Sequence, residues 1–372
     1  MHGHNANSSG AASESSWQTR FSGWAFPVNF FLALSVLSLA VAFASIHGVR
    51  ASGATTSDPT SDPASPLTIS GVSLVEGDIA GDAVHVGATQ RTLIVSFAAS
   101  PVWHASSRDC LADVVGVLDW QDQATWIGAQ AGHIAAIAGD PSSTSAYVAG
   151  LGQYCEPGRF SSADGGNTWA SGSLPGDGAS VPAWLAFDPG RPGTLLASYP
   201  GVLYASSNSG AVWTRRKSVV TPLTFDPSGR LVGWTAGKLY GSIDDGASWQ
   251  ETGPGPADRP ATAGALADGV LIGSDAGLWW CPTAGAASLV QSGSVYSIAT
   301  LSNGAVVLGA DPEGHPWLGT VSSTQPGISL ATLPPDVASL SVTGGEVAAN
   351  DSGAAVAFSG PSSAIALASF AH

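Results

Sequence analysis

Positive charge is scarce in this chain. Beyond residue 66 there are 10 Lys and Arg against 24 Asp and Glu, a net charge of −14. So acidic a surface repels phosphate backbones and anionic headgroups, which makes nucleic acid a poor partner. Cysteine is scarcer still. Cys110, Cys155 and Cys281 form no C-x-x-C pair and have no His nearby at metal-ligand spacing, so no metal site and no cofactor is expected. In an oxidising compartment Cys110 and Cys155, both in loop-like Gly/Ser/Asp text, can form a disulfide, while Cys281 follows "LWW" and reads as a buried core thiol. The G-x-S-x-G elbow of Ser hydrolases is missing, and the His residues are scattered.

Charge of either sign is absent from Phe21 to Val49. Within that span "WAFPVNFFLALSVLSLAVAFASI" is long enough to cross about 30 Å of hydrocarbon as a helix. Two readings stay open: an uncleaved transmembrane anchor behind a short polar segment (1–20), or a signal peptide cut after Ala42-Phe43-Ala44. Residues 50–66 hold little but small, polar and Pro residues and read as a disordered linker. The expected placement is a membrane-anchored chain with residues 67–372 outside the cytoplasm, or a secreted one if the signal is cleaved.

Helical signals are also scarce after residue 67, where short apolar segments alternate with Gly, Pro, Asp and Asn. That spacing argues for many short strands. "FDPGRPGTLLASYPGVLYASSNSGAVW" (187–213) recurs as "FDPSGRLVGWTAGKLYGSIDDGASW" (225–249), and more weakly as "ADGVLIGSDAGLWWCPTAGAAS" (267–288). Hairpin starts are expected at Thr89-Gln90, Asp140-Pro141, Asp188-Pro189, Asp226-Pro227, Asp268-Gly269, Asn303-Gly304 and Gly344-Gly345. A period near 40 residues with about four strands (A to D) each is the signature of β-propeller blades. The fold expected for 67–372 is thus all-β, a single propeller of seven four-stranded blades. "LTISGVSLV" (67–75) and "SAIALASF" (363–370) are the apolar ends available to close the ring within the last blade.

At the C-to-D turn a short box recurs: Ser162, Asp164, Gly166, Trp169; then Ser206, Asn208, Gly210, Trp213; then Ser242, Asp244, Gly246, Trp249. A carboxylate oxygen that accepts main-chain N–H groups, a Gly at positive φ and an indole packed between blades suit a structural corner. A catalytic group is needed once, near one pocket, and not on three blades. These boxes resemble the Asp-box, or bacterial neuraminidase repeat, family of β-propellers, which includes sialidases, xyloglucan-cleaving glycosidases, sortilin-type receptor ectodomains and photosystem II assembly-factor propellers. Asn208 and Val212 depart from the box pattern, and no box is readable in the first, fifth, sixth or seventh unit.

The resemblance implies either a binding propeller or a glycoside hydrolase. Sialidases of the group clamp a carboxylate with three arginines and carry an early F/Y-R-I-P segment, which is missing here, and no catalytic residue can be assigned. The expected function is a non-catalytic binding or assembly module for an envelope protein or a glycan. The alternatives are an exported sialidase-like glycosidase and a photosystem assembly-factor-like propeller. Tyr199 in "SYPG" and Trp234 in "WTAG", at equivalent B–C loop positions, are the candidate binding aromatics.

Overall fold

The short apolar runs between the Asp, Gly and Pro turns fold as antiparallel strands in a computed structural model. It describes residues 67–74, 84–98, 113–119, 124–152, 157–176, 180–323, 325–361 and 364–371. All of them fall within the compact unit Gly48–His372. Strand β1 (Ile69–Leu74) opens the described chain. Sheet I then runs in unbroken order through β2 (Val84–Ala88), β3 (Thr92–Ala98), β4 (Asp113–Asp119), β5 (Ala124–Gly139), β6 (Ala146–Gly152), β7 (Pro157–Ser162) and β8 (Ala170–Gly172).

Four-stranded meanders follow. Sheet II holds β9 (Trp184–Phe187), β10 (Leu195–Tyr199), β11 (Val202–Ser206) and β12 (Thr214–Lys217). Sheet III holds β13 (Thr221–Phe225), β14 (Leu231–Thr235), β15 (Lys238–Ser242) and β16 (Gln250–Pro254). Sheet IV holds β17 (Thr262–Leu266), β18 (Gly269–Ser274), β19 (Gly277–Pro282) and β20 (Ser288–Ser292). Sheet V holds β21 (Ser294–Leu301), β22 (Gly304–Ala310), β23 (Pro316–Ser322) and β24 (Gln325–Leu330). A one-turn helix α1 (Pro335–Ala338) leads into sheet VI, where β25 (Gly344–Asn350), β26 (Gly353–Ser359) and β27 (Ala364–Phe370) are completed by β1. In that sheet β27 lies between β26 and β1, with Val72 opposite Ala368, so the two ends of the propeller meet in one sheet.

The chain is thus an all-β propeller of six sheets, which corrects the expectation of seven separate four-stranded blades. The first two repeat units are one sheet because β5 serves both: Val115 and Leu118 pair with its first half, and Ala146 and Val148 with its second. The text "ATWIGAQAGHIAAIAG" holds no Pro, Asp, Asn or Ser to break it. Later D-to-A connections such as "ETGPGPADRP" do. Sheet I instead folds over on itself, burying Ile94 of β3 against Ile134 of β5 and Val148 of β6.

A second correction concerns the last hairpin. Gly344-Gly345 begin β25, and the turn falls at Asp351-Ser352, where Ser352 N donates to Asn350 Oδ1 (3.0 Å). Glycine is needed at 345 for close approach: a Cβ there would sit 2.5 Å from Ala357 O and 2.6 Å from Leu308 Cδ2 of sheet V.

The helix expected over 21–49 and the linker over 50–66 lie outside the described residues. Among the described residues no helix is long and apolar enough to cross a membrane. The helix-anchored, extracytoplasmic placement is corrected on that ground: every apolar run described beyond residue 66 is of strand length, and α1 has four residues.

Apolar layers lie between neighbouring sheets, as with Val306, Leu318, Val356 and Phe358 between V and VI. The first strands of the units pack side by side, and polar side chains tie them. Trp184 Nε1 of β9 donates to Leu223 O of β13 (3.0 Å), and Ile298 N of β21 donates to Thr262 Oγ1 of β17 (3.2 Å). At the seam between β25 and β2, the Glu346 carboxylate meets His85 Nδ1 (2.7 Å) and Val86 N (3.1 Å).

Candidate functional site

Three C–D turns are built alike. In the first, Ser162 Oγ donates to Asp164 Oδ1 (2.8 Å) and accepts from Gly166 N (2.8 Å). Asp164 also takes Thr168 N (2.9 Å) on Oδ1 and the Thr168 hydroxyl (2.6 Å) on Oδ2. The third turn repeats this with Ser242, Asp244, Gly246 and Ser248 at 2.8, 2.8, 2.8 and 2.6 Å. In the second, Asn208 Oδ1 takes Ser206 Oγ (2.9 Å) and Val212 N (2.8 Å), and valine has no hydroxyl to add.

Every box oxygen named is occupied by the turn itself. The Thr168 hydroxyl holds Asp164 below the usual carboxylate range, and the Ser248 hydroxyl holds Asp244 down to about 2. Neither can donate a proton at neutral pH. The tryptophans cross to the preceding layer. Trp169 packs on Ile94 and Val148, and Trp213 meets Tyr147 edge-on at 5.9 Å and 82°. Trp249 packs on the layer formed by Leu196, Leu203 and Ala205 of sheet II with Phe225 and Leu231 of sheet III.

The A–B turns are held by buried aspartates, each satisfied by its own turn. Asp188 takes Gly190 N (2.8 Å) and Arg191 Nε (2.6 Å); Asp226 takes Ser228 Oγ (2.6 Å), Arg230 N (3.0 Å) and Arg230 Nε (2.8 Å). These turns also grip the box of the next unit. The Thr92 hydroxyl donates to Gly165 O (3.0 Å) in the first box, and Arg191 pairs with Asp245 in the third. Arg230 is the counterpart of Arg191 one sheet further on, and the sheet it faces has no box. Among the described residues no acceptor meets its two terminal nitrogens.

Sheet IV turns from C to D by a shorter route. Trp280 pairs with Ser288, whereas in sheet III Gly241 pairs with Gln250, one residue more distant. Ala287 therefore stands beside Cys281 where Trp249 stands beside Ser242, and Ala284 falls where Asp245 stood. The result is two adjoining clefts between sheets III and IV, of about 310 and 220 Å³, both lined by Arg230 and Val270. One wall of the larger is Val232, Leu239 and Gly241, the register counterparts of Leu196, Leu203 and Ala205 that seat Trp249. Cys281 and Thr283 lie in the other wall. Burial pushes the Cys281 thiol up to about 11, so it is protonated at neutral pH and no nucleophile.

The aromatics picked from sequence sit elsewhere. Tyr199 packs edge-on against Tyr204, centroids 5.6 Å apart. Trp234 packs in the layer between sheets III and IV, and its Nε1 donates to Pro256 O (3.2 Å), tying down the loop after β16. Neither lines the clefts. Cys110 and Cys155, and with them the expected disulfide, lie outside the described residues. Among the described residues no group of His, Cys, Asp and Glu is placed to hold a metal ion. Sequence reading missed the clefts. Their signal was the Arg of "FDPSGR" followed by a unit that carries no box.

No protein-family model matches the chain, and no curated protein matches it in sequence. Solved structures that share its fold include the following three. YCF48 from Cyanidioschyzon merolae is 12% identical with a TM-score of 0.54, over 80% of this chain and 98% of that one. A structure of YCF48 bound to D1 peptide is 11% identical with a TM-score of 0.52, over 82% of this chain and 97% of that one. A chain of the mitotic checkpoint complex is 14% identical with a TM-score of 0.54, over 86% of this chain and 97% of that one. At these identities the likeness shows the β-propeller fold and nothing finer.

Proposed function

We propose that this protein is a non-catalytic propeller that binds another protein. One observation carries the reading: the carboxylates around the clefts are held in ion pairs. Asp226 is paired with Arg230 (2.8 Å), and Glu251 with Lys238 Nζ (2.8 Å). Glycoside hydrolysis needs one carboxyl group that can give a proton and a second about 5 to 9.5 Å away acting on the sugar. Two of the arginines are engaged too. Arg191 holds Asp188 and Asp245, and Arg159 Nε donates to Ser173 O (3.1 Å) with its guanidinium 5.7 Å over the Tyr147 ring.

A groove that sets Val232, Leu239 and Val270 beside polar side chains such as Arg230, Gln250 and Thr283 suits a docked polypeptide. Support comes also from the neighbours, one solved with a D1 peptide and one within a checkpoint complex. The full-length protein should turn over neither fluorogenic sialosides nor β-glucosides. In-cell cross-linking with mass spectrometry should recover a defined protein partner, and measurable glycoside turnover would overturn the reading.

A further inference from the structure

The clefts between sheets III and IV are the one place among the described boxes and their neighbours where a repeated pattern stops. At the first and third boxes the A–B turn of the preceding unit reaches the box, and each of those boxes seats its tryptophan on the preceding layer. At this interface the receiving half is intact. Val232 and Leu239 are the counterparts of Leu196 and Leu203 in the layer on which Trp249 packs, and Arg230, held by Asp226 as Arg191 is held by Asp188, lies across Gly241 with its terminal nitrogens unpaired among the described residues. The inserted half is missing, because Ala284 and Ala287 stand in place of the aspartate and the tryptophan. Gly241 in place of Ala205 makes room for the Arg230 side chain, whose Cδ lies 3.0 Å from where a Cβ would stand.

We propose that this interface takes the missing half from a partner: a polypeptide segment carrying an acidic residue four positions before a tryptophan or other large aromatic. The inference rests on the reading of the protein as a protein-binding module and specifies its site. The aromatic side chain enters the larger cleft beside Val232, Leu239 and Val270, and the carboxylate meets the terminal nitrogens of Arg230. A planar guanidinium with both terminal NH2 groups free matches a carboxylate bidentately. The chain's net acidity opposes an acidic ligand only at long range, and at physiological ionic strength that repulsion is screened beyond about 8 Å.

The probe is an acetylated, amidated peptide Asp-Asp-Gly-Ala-Ser-Trp, the text of residues 244–249, titrated into the full-length protein by calorimetry. Saturable one-to-one binding is expected. It should weaken about tenfold or more, at least 1.4 kcal/mol, when the peptide's Trp is replaced by Ala or its second Asp by Asn. Ala287→Trp, which restores the chain's own indole, should abolish binding and raise the melting temperature. Should that variant not fold, Val270→Phe narrows the same cleft and Arg230→Gln removes the anion contact, and each should weaken binding at least tenfold. Absence of saturable binding overturns the proposal, and so does binding that these substitutions leave unchanged. A cross-linked partner still captured by Ala287→Trp would leave the protein-binding reading standing and remove this site.

Discussion

At the scale of single residues, the protein places hydrogen-bonding side chains where the backbone turns back on itself. Both carboxylate oxygens of Asp244 are occupied, and the charged form is favoured over the neutral one, with the group held down to about 2. A carboxylate depressed in the folded state contributes stability above its ordinary value, and that contribution is lost as pH falls through the folded value. The window for Asp244 therefore runs from 3.8 down to about 2. Asp244→Asn keeps an acceptor but does not titrate, as Asn208 already shows in the second box. The slope of melting temperature against pH in that window should be shallower in the variant and unchanged above pH 5. Some slope should persist, because the Thr168 hydroxyl holds Asp164 down and His315 N–H holds Asp311 down. The roles of Ser, Asp and Gly in the boxes were legible because turn chemistry acts over a few neighbouring positions. That Ser209 and Asp245 adopt φ of 52° and 57° was not, since neither residue type demands it.

At the scale of strands and turns, packing between layers decides what is allowed. Gly210 has φ 83°, and a Cβ on it would lie 2.3 Å from Cε2 of the buried Tyr147 ring. Gly210→Ala combines a disfavoured backbone with a clash against a ring already edge-on to Trp213, and should cost about 3 kcal/mol or more in urea unfolding. Gly201 is the internal control. It has φ 72° but open space around it, so Gly201→Ala should cost only about 1 kcal/mol. The strand pattern and most hairpin turns could be seen in the spacing of Asp, Asn and Gly. The fusion of two units through β5 shows in the sequence only as a missing breaker over 124–139, and the place of the last turn could not be seen because it depends on a residue distant in sequence. Gly345 looks like a turn residue until Leu308 is known to press on it. The clefts were hidden for the same reason, since a missing tryptophan becomes a void only when the wall that would seat it is in place.

At the scale of the whole propeller, closure rests on the chain's last strand. Phe358, Ala366, Ala368 and Phe370 belong to the buried layer that joins sheets V and VI, and β27 provides the hydrogen bonds that hold β1 in the ring. Removing residues 363–372 would strip β1 of its partner and open the edge of β26. The truncated chain should show no cooperative thermal transition by circular dichroism and should aggregate on size-exclusion chromatography. A cooperative transition at the melting temperature of the intact protein would contradict this.

The hydroxyl of Ser70 bonds to the carbonyl of Ser369, 299 positions later. During synthesis β1 must wait, its hydrogen-bonding edge bare, until β27 has left the ribosome. Until then the nascent chain is a ring with a gap. Sheets II to V can form as each meander emerges, but β1 and its place in sheet VI stay open to chaperones and to other copies of the chain.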